Sequence, residues 1–182
     1  MIDLSTNYLG MKLKNPIIAS ASPLSEDIEK IKQMEEKGIS AVVLHSLFEE
    51  QITLQEEQLN QALQQGTESY AEALSYFPDV DHYRFAPDEY ISYIARVKET
   101  VKIPIIGSLN GISRGGWVHY GKKIEEAGAD ALELNIYYLP TKTSASCQEI
   151  EQIYLDLTGI LRQNITIPVS YTHLTLPTKR IV

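Results

Sequence analysis

Small or polar residues follow four apolar runs of the sequence, at positions where ligands bind in α/β proteins. These positions are Ala19-Ser20, His45-Ser46, Asn110-Gly111 and Asn135. The carboxyl end of a parallel strand delivers its side chain to the mouth of the sheet, so the four positions converge if the runs are parallel strands. Small residues at 19–22 would let a flat ring such as a flavin approach the backbone. The amide of Asn135 offers a donor and an acceptor to a pyrimidine-like edge.

Each position also has an ordinary structural interpretation. Alanine and serine fill tapering interiors, asparagine suits turns at strand ends, and His45 could be a hydrogen-bonded residue of the core. The four positions together, rather than any single one, therefore predict a ligand site.

The elements that must position these residues alternate between strands and helices. Apolar runs predict parallel strands near residues 16–21, 41–46, 103–109, 131–137 and 167–170. Alternating residues around Gly10 predict an additional hairpin before the first of them. Between the strands, Pro87 stands at a first helical position and Ser146-x-x-Glu149 is a capping box. The pattern is that of successive βα units.

A long insertion separates the second and third predicted strands. It contains a Gln-rich segment from Glu50 to Gln65, which we expect to be helical, followed by an aromatic stretch with Tyr76, Phe77, Tyr83 and Phe85. Insertions after a strand's carboxyl end lie on the active-site face of α/β folds, so the aromatic stretch is a candidate lid. A packing flap that covers a hydrophobic edge is the alternative.

Composition excludes several classes of function. The 182 residues are 43% hydrophobic and 22% charged, which is typical of a globular domain. A net charge of -8 argues against a nucleic-acid partner. A single cysteine, Cys147, and the lack of a long apolar segment in residues 1–14 predict a cytoplasmic protein. No apolar run spans a bilayer. No metal site is predicted, because His82 and His119 have no second ligand at metal-binding spacing.

Three phrases of the sequence contain the predicted strand ends. They are Asn15-Pro16-Ile17-Ile18-Ala19-Ser20-Ala21-Ser22-Pro23-Leu24, Ile105-Ile106-Gly107-Ser108-Leu109-Asn110-Gly111 and Glu133-Leu134-Asn135-Ile136. Over roughly residues 1–169 the chain resembles the dihydroorotate dehydrogenase family, especially its dihydroorotate dehydrogenase-like branch. The resemblance implies an FMN-dependent (β/α)₈ barrel with an N-terminal hairpin. It also implies oxidation of a small molecule, dihydroorotate, to orotate in pyrimidine biosynthesis, and a homo-oligomer is one expectation for the full-length parent.

The resemblance assigns roles to individual residues. By motif, Ala19 and Ser20 would pack at the flavin, and Asn110 and Asn135 would bond flavin or substrate. His45-Ser46 stand where many members have Lys followed by Ser or Thr, so we expect these two residues at the cofactor as well.

The sequence departs from the family at the proton acceptor. Where members carry a Cys or Ser base in a Ser-Cys-Pro-Asn or Ser-Ser-Pro-Asn phrase, this chain reads Ile136-Tyr137-Tyr138-Leu139-Pro140. Tyr138 is nearest to the base position, and we expect it to be the catalytic residue. An ordinary tyrosine pKa of about 10 makes it a poor base without help. A different cyclic, amide-containing substrate is therefore an alternative to dihydroorotate.

The last residues depart as well. The segment from Ser170 to Val182 lacks a helix cap and an apolar stripe, and it resembles the conceptual translation of sequencing-library adapter DNA. The family's flavin-binding Lys would fall near Tyr171 or Thr172 and is absent. We expect residues 1–169 to be the N-terminal part of one FMN-type barrel domain and residues 170–182 to be a non-native tail, with a genuine terminal strand as the alternative.

Length fits a partial barrel. A (β/α)₈ barrel has about 250 residues, so we expect this chain to hold about the first five βα units. An open half-barrel exposes two sheet edges, and a non-catalytic fragment is therefore the alternative to an active enzyme. A third interpretation, an aldolase-like barrel that works through a Schiff base, needs a strand-end lysine, and the first four predicted strands have none.

Overall fold

A two-stranded hairpin precedes the main sheet. The computed structural model describes residues 2–48, 87–111, 114–136 and 146–172. Strands β1 (Thr6–Tyr8) and β2 (Met11–Leu13) pair antiparallel. The turn between them has positive φ angles at Leu9 and Gly10, 51° and 77°, and glycine tolerates this conformation without strain. The predicted hairpin is confirmed.

Five parallel strands form the main sheet, which curls like half of a barrel. In spatial order they are β3 (Ile18–Ala19), β4 (Ala41–Phe48), β5 (Ile105–Asn110), β6 (Ala131–Asn135) and β7 (Val169–Thr172). Strand order follows chain order, as successive βα units require. The predicted mixed α/β fold with a parallel sheet is confirmed.

The bounds of all five strands differ from the prediction at one or both ends, and β4, for example, runs to Phe48 rather than ending at Ser46. Strand β3 has two residues rather than the six expected, because Pro16 has no N–H and the N–H of Ile17 donates to the side-chain oxygen of Asn15 at 2.9 Å. Strand β7 extends to Thr172, which pairs with Asn135 of β6. The ladder therefore continues two residues beyond the predicted end at Ser170.

Four helices and one 3₁₀ turn are described. They are the turn Pro23–Glu26, α1 (Ile28–Glu36), α2 (Pro87–Thr100), α3 (Arg114–Glu126) and α4 (Cys147–Asn164). Asp27 caps α1 by accepting the N–H of Glu29. The capping box of Ser146 and Glu149 is present in both directions at the start of α4, as predicted.

The core lies on both faces of the sheet. The larger cluster packs the sheet against the helices and includes Trp117, Ile124, Leu132 and Leu161. A smaller cluster covers the inner face of the curl, where Val43, Ile106 and Ala131 meet Leu13, Leu9 and Met11 of the hairpin. The hairpin therefore closes the inner face at the amino ends of the strands and leaves their carboxyl ends for a site.

Some predictions fall on residues that the structure does not describe. They include the helix expected from Glu50 to Gln65, the aromatic stretch behind it, Tyr138 and residues 173–182. In the four described stretches, no helix combines the length and the apolar character needed to cross a bilayer.

Candidate functional site

The pairing of β4 with β5 shifts register between Val43 and Ser46. Val43 pairs with Ile106, whereas Ser46 pairs with Ser108, so β4 has one residue more than β5 in this interval. An extra residue reverses which face the following side chains occupy. Val43 lies in the inner cluster, and Ser46 also contacts the inner face, through Ser108.

Register partners on four strands form two rows beyond the apolar row of the inner face. The lower row consists of register partners Ser46, Ser108, Glu133 and Ser170. The upper row, at the carboxyl ends of the strands, consists of Phe48, Asn110, Asn135 and Thr172. Layers of inward side chains from neighbouring strands are typical of (β/α)₈ barrels.

A hydrogen-bonded network joins three strands within these rows. The hydroxyl oxygens of Ser46 and Ser108 are 2.8 Å apart. The Nδ2 of Asn135 donates to Ser108 Oγ at 3.0 Å and approaches Ser46 Oγ at 3.4 Å. Ser108 is fully buried and Asn135 is 9% exposed. These hydrogen bonds therefore hold the Asn135 amide at the mouth of the inner face.

Glu133 is the one acidic residue of the two rows. It lies two residues before Asn135 on β6 and pairs in register with Ser108. Burial raises the pKa of Glu133 above its ordinary value, and a hydrogen bond from Asn135 opposes this in part. A half-buried carboxylate on the inner face of a strand is costly unless it is hydrogen-bonded, so Glu133 is a candidate functional residue.

His45 lies on the other face of the sheet. Its ring makes an edge contact with Tyr90, 5.0 Å between centroids, and a tilted contact with Tyr93 at 5.5 Å. Both tyrosines belong to α2 and to the helix-side core. Burial lowers the pKa of His45, and Glu26 opposes this in part. The structure therefore does not bring His45 together with Ser46, although the two residues are adjacent in sequence.

The other predicted cofactor residues lie along the carboxyl ends of the strands. Ala19 ends β3, pairs with Val42 and packs against the helix-side core. Ser20 follows it and is exposed. Asn110 is half-buried, ends β5 and pairs in register with Asn135. The structure thus brings Ser46 and Asn135 into one network, with Asn110 beside them in the upper row.

Sequence reasoning did not assign a role to Ser108, Glu133 or Tyr90. Glu133 carried a signal, because a charged residue between two leucines interrupts an otherwise apolar strand. Ser108 likewise follows an apolar run, but no local pattern shows which side chains it meets. Tyr90 looks like any apolar residue of a helical stripe, and only the packed structure brings its hydroxyl to β5.

The chain is similar in sequence to catalytic subunits of dihydroorotate dehydrogenase B (NAD(+)). It is 25% identical over 180 residues to the protein of Thermoplasma acidophilum, covering 93% of this chain and 53% of that protein. It is 28% identical over 137 residues to the protein of Thermoplasma volcanium, covering 75% and 42%. The chain spans about half the length of these relatives. No protein family model matches it.

Solved structures with a similar fold include two dihydrodipicolinate synthases. The enzyme DapA-2 of Bacillus anthracis superimposes with a TM-score of 0.50 at 16% identity, covering 94% of this chain and 46% of that one. The chloride-inhibited enzyme of Acinetobacter baumannii, complexed with pyruvate, gives 0.52 at 17%, covering 87% and 45%. These proteins are (β/α)₈ barrels, and the likeness agrees with a curled half-barrel sheet.

Proposed function

We propose that the parent protein is an FMN-dependent oxidoreductase of the dihydroorotate dehydrogenase type, and that residues 1–169 form about the first five βα units of its (β/α)₈ barrel. The observation that carries the proposal is the Ser46, Ser108 and Asn135 network at the carboxyl ends of parallel strands. The sequence similarity to dihydroorotate dehydrogenase B catalytic subunits supports it. The substrate is a small molecule, and the compartment is the cytoplasm.

The residues at the carboxyl ends of the strands suit a flavin in part. Ala19 and Ser20 offer small side chains at the end of β3, and Asn110 and Asn135 offer amides that can bond a ring edge. FMN, when bound, supplies the acceptor for a hydride. Thr172 stands opposite Asn135 in register. The resemblance implies a flavin-binding lysine near Tyr171 or Thr172, so we expect the flavin to lack a cationic partner there.

Tyr138 is our proposed proton acceptor. A tyrosine hydroxyl lies farther from the backbone than a Cys or Ser side chain, so the accepting atom moves outward and the pocket changes shape. We therefore expect slow oxidation of dihydroorotate, or a preference for another cyclic, amide-containing substrate.

The 182-residue chain itself is expected to bind FMN weakly. The phosphate site of FMN barrels lies on later strands, and each charge-assisted hydrogen bond lost there removes about 1.5–3 kcal/mol. Two open sheet edges, whose backbone groups lack partners, also favour the alternative that the 182-residue chain is an inactive fragment. A Schiff-base mechanism is not favoured, because the described strands β3 to β7 contain no lysine.

An absorbance spectrum of the purified full-length parent tests the proposal. We expect flavin bands, released FMN on denaturation, and bleaching of the bands when dihydroorotate is added without oxygen. Bleaching only with another cyclic amide would support the flavin and correct the substrate. A full-length protein that purifies without FMN and cannot be reconstituted with it would overturn the proposal.

A further inference from the structure

Two consecutive residues of β4, Leu44 and His45, lie opposite the single residue Gly107 of β5. Both side chains are on the helix side of the sheet, where Leu44 belongs to the larger core cluster and His45 contacts the ring of Tyr90. A regular strand would alternate them between the two faces. The interval is therefore a β-bulge, which bends one strand away from its neighbour and re-aims the side chains that follow.

The backbone groups of Ser108 point toward this bulge. In a parallel sheet, the N–H and C=O of one residue point to one neighbouring strand, and those of the next residue point to the other. The C=O of Pro104 accepts the N–H of Val42 in β4, whereas the C=O of Ile105 accepts that of Asp130, next to β6. Every second residue after Pro104 shares its direction, so the N–H and C=O of Ser108 face β4.

The hydroxyl of Tyr90 lies where these two groups point. It accepts the N–H of Ser108 at 3.1 Å and donates to the C=O at 3.3 Å, and Tyr90 is fully buried. In a ladder without the bulge, β4 itself would bond these two groups, and the hydroxyl would stay buried without them. The hydroxyl therefore favours the bulged pairing over the regular one.

We propose that Tyr90 is a positioning residue for the candidate site, whose hydroxyl maintains the bulge and so holds Ser46, rather than His45, on the inner face. In the regular pairing, His45 would oppose Ser108 and Ser46 would turn toward the helices. The contact of 2.8 Å between the hydroxyl oxygens of Ser46 and Ser108 would then be lost. This role rests on backbone and ring contacts, whereas its effect on a bound flavin rests on the proposed function.

Nuclear Overhauser effects in the 182-residue chain test the role without any ligand. In the wild type we expect a cross-peak between the β-protons of Ser46 and Ser108, and none between those of His45 and Ser108. Tyr90→Phe keeps the ring and removes the hydroxyl. We expect it to raise the population with His45 inward about tenfold, which corresponds to the loss of about one hydrogen bond. Chemical-exchange saturation transfer at the Ser108 amide measures this population.

Tyr93→Phe is the matched control for a general loss of stability. The Tyr93 ring also contacts His45, at 5.5 Å between centroids, and its hydroxyl bonds the carbonyl of Ser25 rather than β5. This variant should leave the cross-peaks and the population unchanged, because it does not touch the backbone of the bulge. Cross-peaks and a population equal to those of the wild type in folded Tyr90→Phe would overturn the positioning role.

Deletion of His45 keeps the proposal testable if Tyr90→Phe does not fold. The deletion removes the bulge and leaves Ser46 opposite Ser108 on the inner face, so the hydroxyl is no longer needed there. Tyr90→Phe should then change the equilibrium constant of unfolding by no more than about twofold, against about tenfold or more in the undeleted chain. A double variant that does not fold, or equal effects in both backgrounds, would overturn the role.

FMN added to the full-length parent separates this role from the proposed function. A ligand shifts a conformational equilibrium toward the state that binds it more tightly. Saturation of Tyr90→Phe with FMN should therefore return the population with His45 inward toward its wild-type value. A population that FMN does not change, with the results in the 182-residue chain intact, would count against a flavin at this network and leave the positioning role standing.

Discussion

The hydroxyl of Tyr90 bonds both backbone groups of Ser108. It accepts the N–H at 3.1 Å and donates to the C=O at 3.3 Å, both in the buried interior. Ser108 is the residue of β5 that follows the register shift with β4. A side chain of α2 thus completes the hydrogen bonding of the sheet beneath the candidate site.

Tyr90→Phe should lower the free energy of unfolding by about 1–3 kcal/mol, because it leaves a buried N–H and C=O without their partner. Urea denaturation measures the change. Tyr93→Phe is the matched control, since the Tyr93 hydroxyl makes one hydrogen bond within the described residues, to the carbonyl of Ser25 at 2.7 Å, and should cost less. Equal costs for the two variants would contradict the role assigned to Tyr90.

Gly107→Ala should also destabilise the protein, by about 1–3 kcal/mol through overpacking. A Cβ at Gly107 would lie 2.5 Å from Cγ2 of Ile124, which is itself fully buried in α3. Thermal denaturation measures the cost, and Ile124→Leu, which removes Cγ2, should recover part of it in the double variant. Gly159→Ala, on the exposed face of α4 with nothing within 4 Å, should be stabilising instead. A neutral Gly107→Ala would refute the close packing.

The stability of the protein should fall as the pH drops through the range in which His45 would titrate when unfolded. Burial lowers its pKa below 6.5, so just below pH 6.5 the unfolded chain binds a proton that the folded chain does not. The contribution of His45 to the free energy of unfolding is fully present above about pH 6.5. Below that pH it decreases by no more than about 1.4 kcal/mol per pH unit, and the decrease levels off below the pKa of the folded state.

Urea unfolding at a series of pH values measures this contribution. His45→Phe keeps an aromatic ring against Tyr90 and Tyr93 and should flatten the dependence below pH 6.5. His119→Gln, at an exposed position of α3, is the control and should leave it unchanged. An identical pH dependence in the wild type and His45→Phe would refute the assignment.

Thr172→Lys should strengthen FMN binding by the 182-residue chain about tenfold, through a charge-assisted hydrogen bond. The backbone of Thr172 pairs with Asn135, and the family resemblance implies a flavin-binding lysine near Tyr171 or Thr172. Quenching of flavin fluorescence measures the affinity. Thr172→Met has a similar length without the charge, and an equal gain with that variant would exclude a specific cationic contact.

Tyr138→Phe tests the proposed base in the full-length parent. Removal of a general base should slow substrate oxidation about 10² to 10⁴-fold while FMN remains bound. Stopped-flow reduction of the flavin measures the rate. Turnover that survives the substitution would show that Tyr138 packs and that another group, such as Ser46, takes the proton.

The local sequence was sufficient to predict the described strands, helix caps and hairpin turn. The capping box of Ser146 and Glu149, the hairpin turn at Gly10 and the parallel apolar strands all depend on neighbours within a few residues or on burial of a whole run. Their physical causes are backbone conformation, capping and hydrophobicity, which act over short distances along the chain. The placement of Asn110 and Asn135 at the carboxyl ends of neighbouring strands followed from these elements.

The contacts that build the candidate site depend on tertiary structure. Strict alternation along β4 would put His45 on the same face as Val43 and would put Ser46 on the other. The register shift reverses this, so Ser46 meets Ser108, 62 residues away in sequence, and His45 meets Tyr90 instead. The sequence by itself determined which of the described strands and helices form and, within about two residues, where the strands end. Only the packing of β4 against β5 and α2 decided which of those residues face one another, because a single extra residue in one strand exchanges the two faces of a sheet.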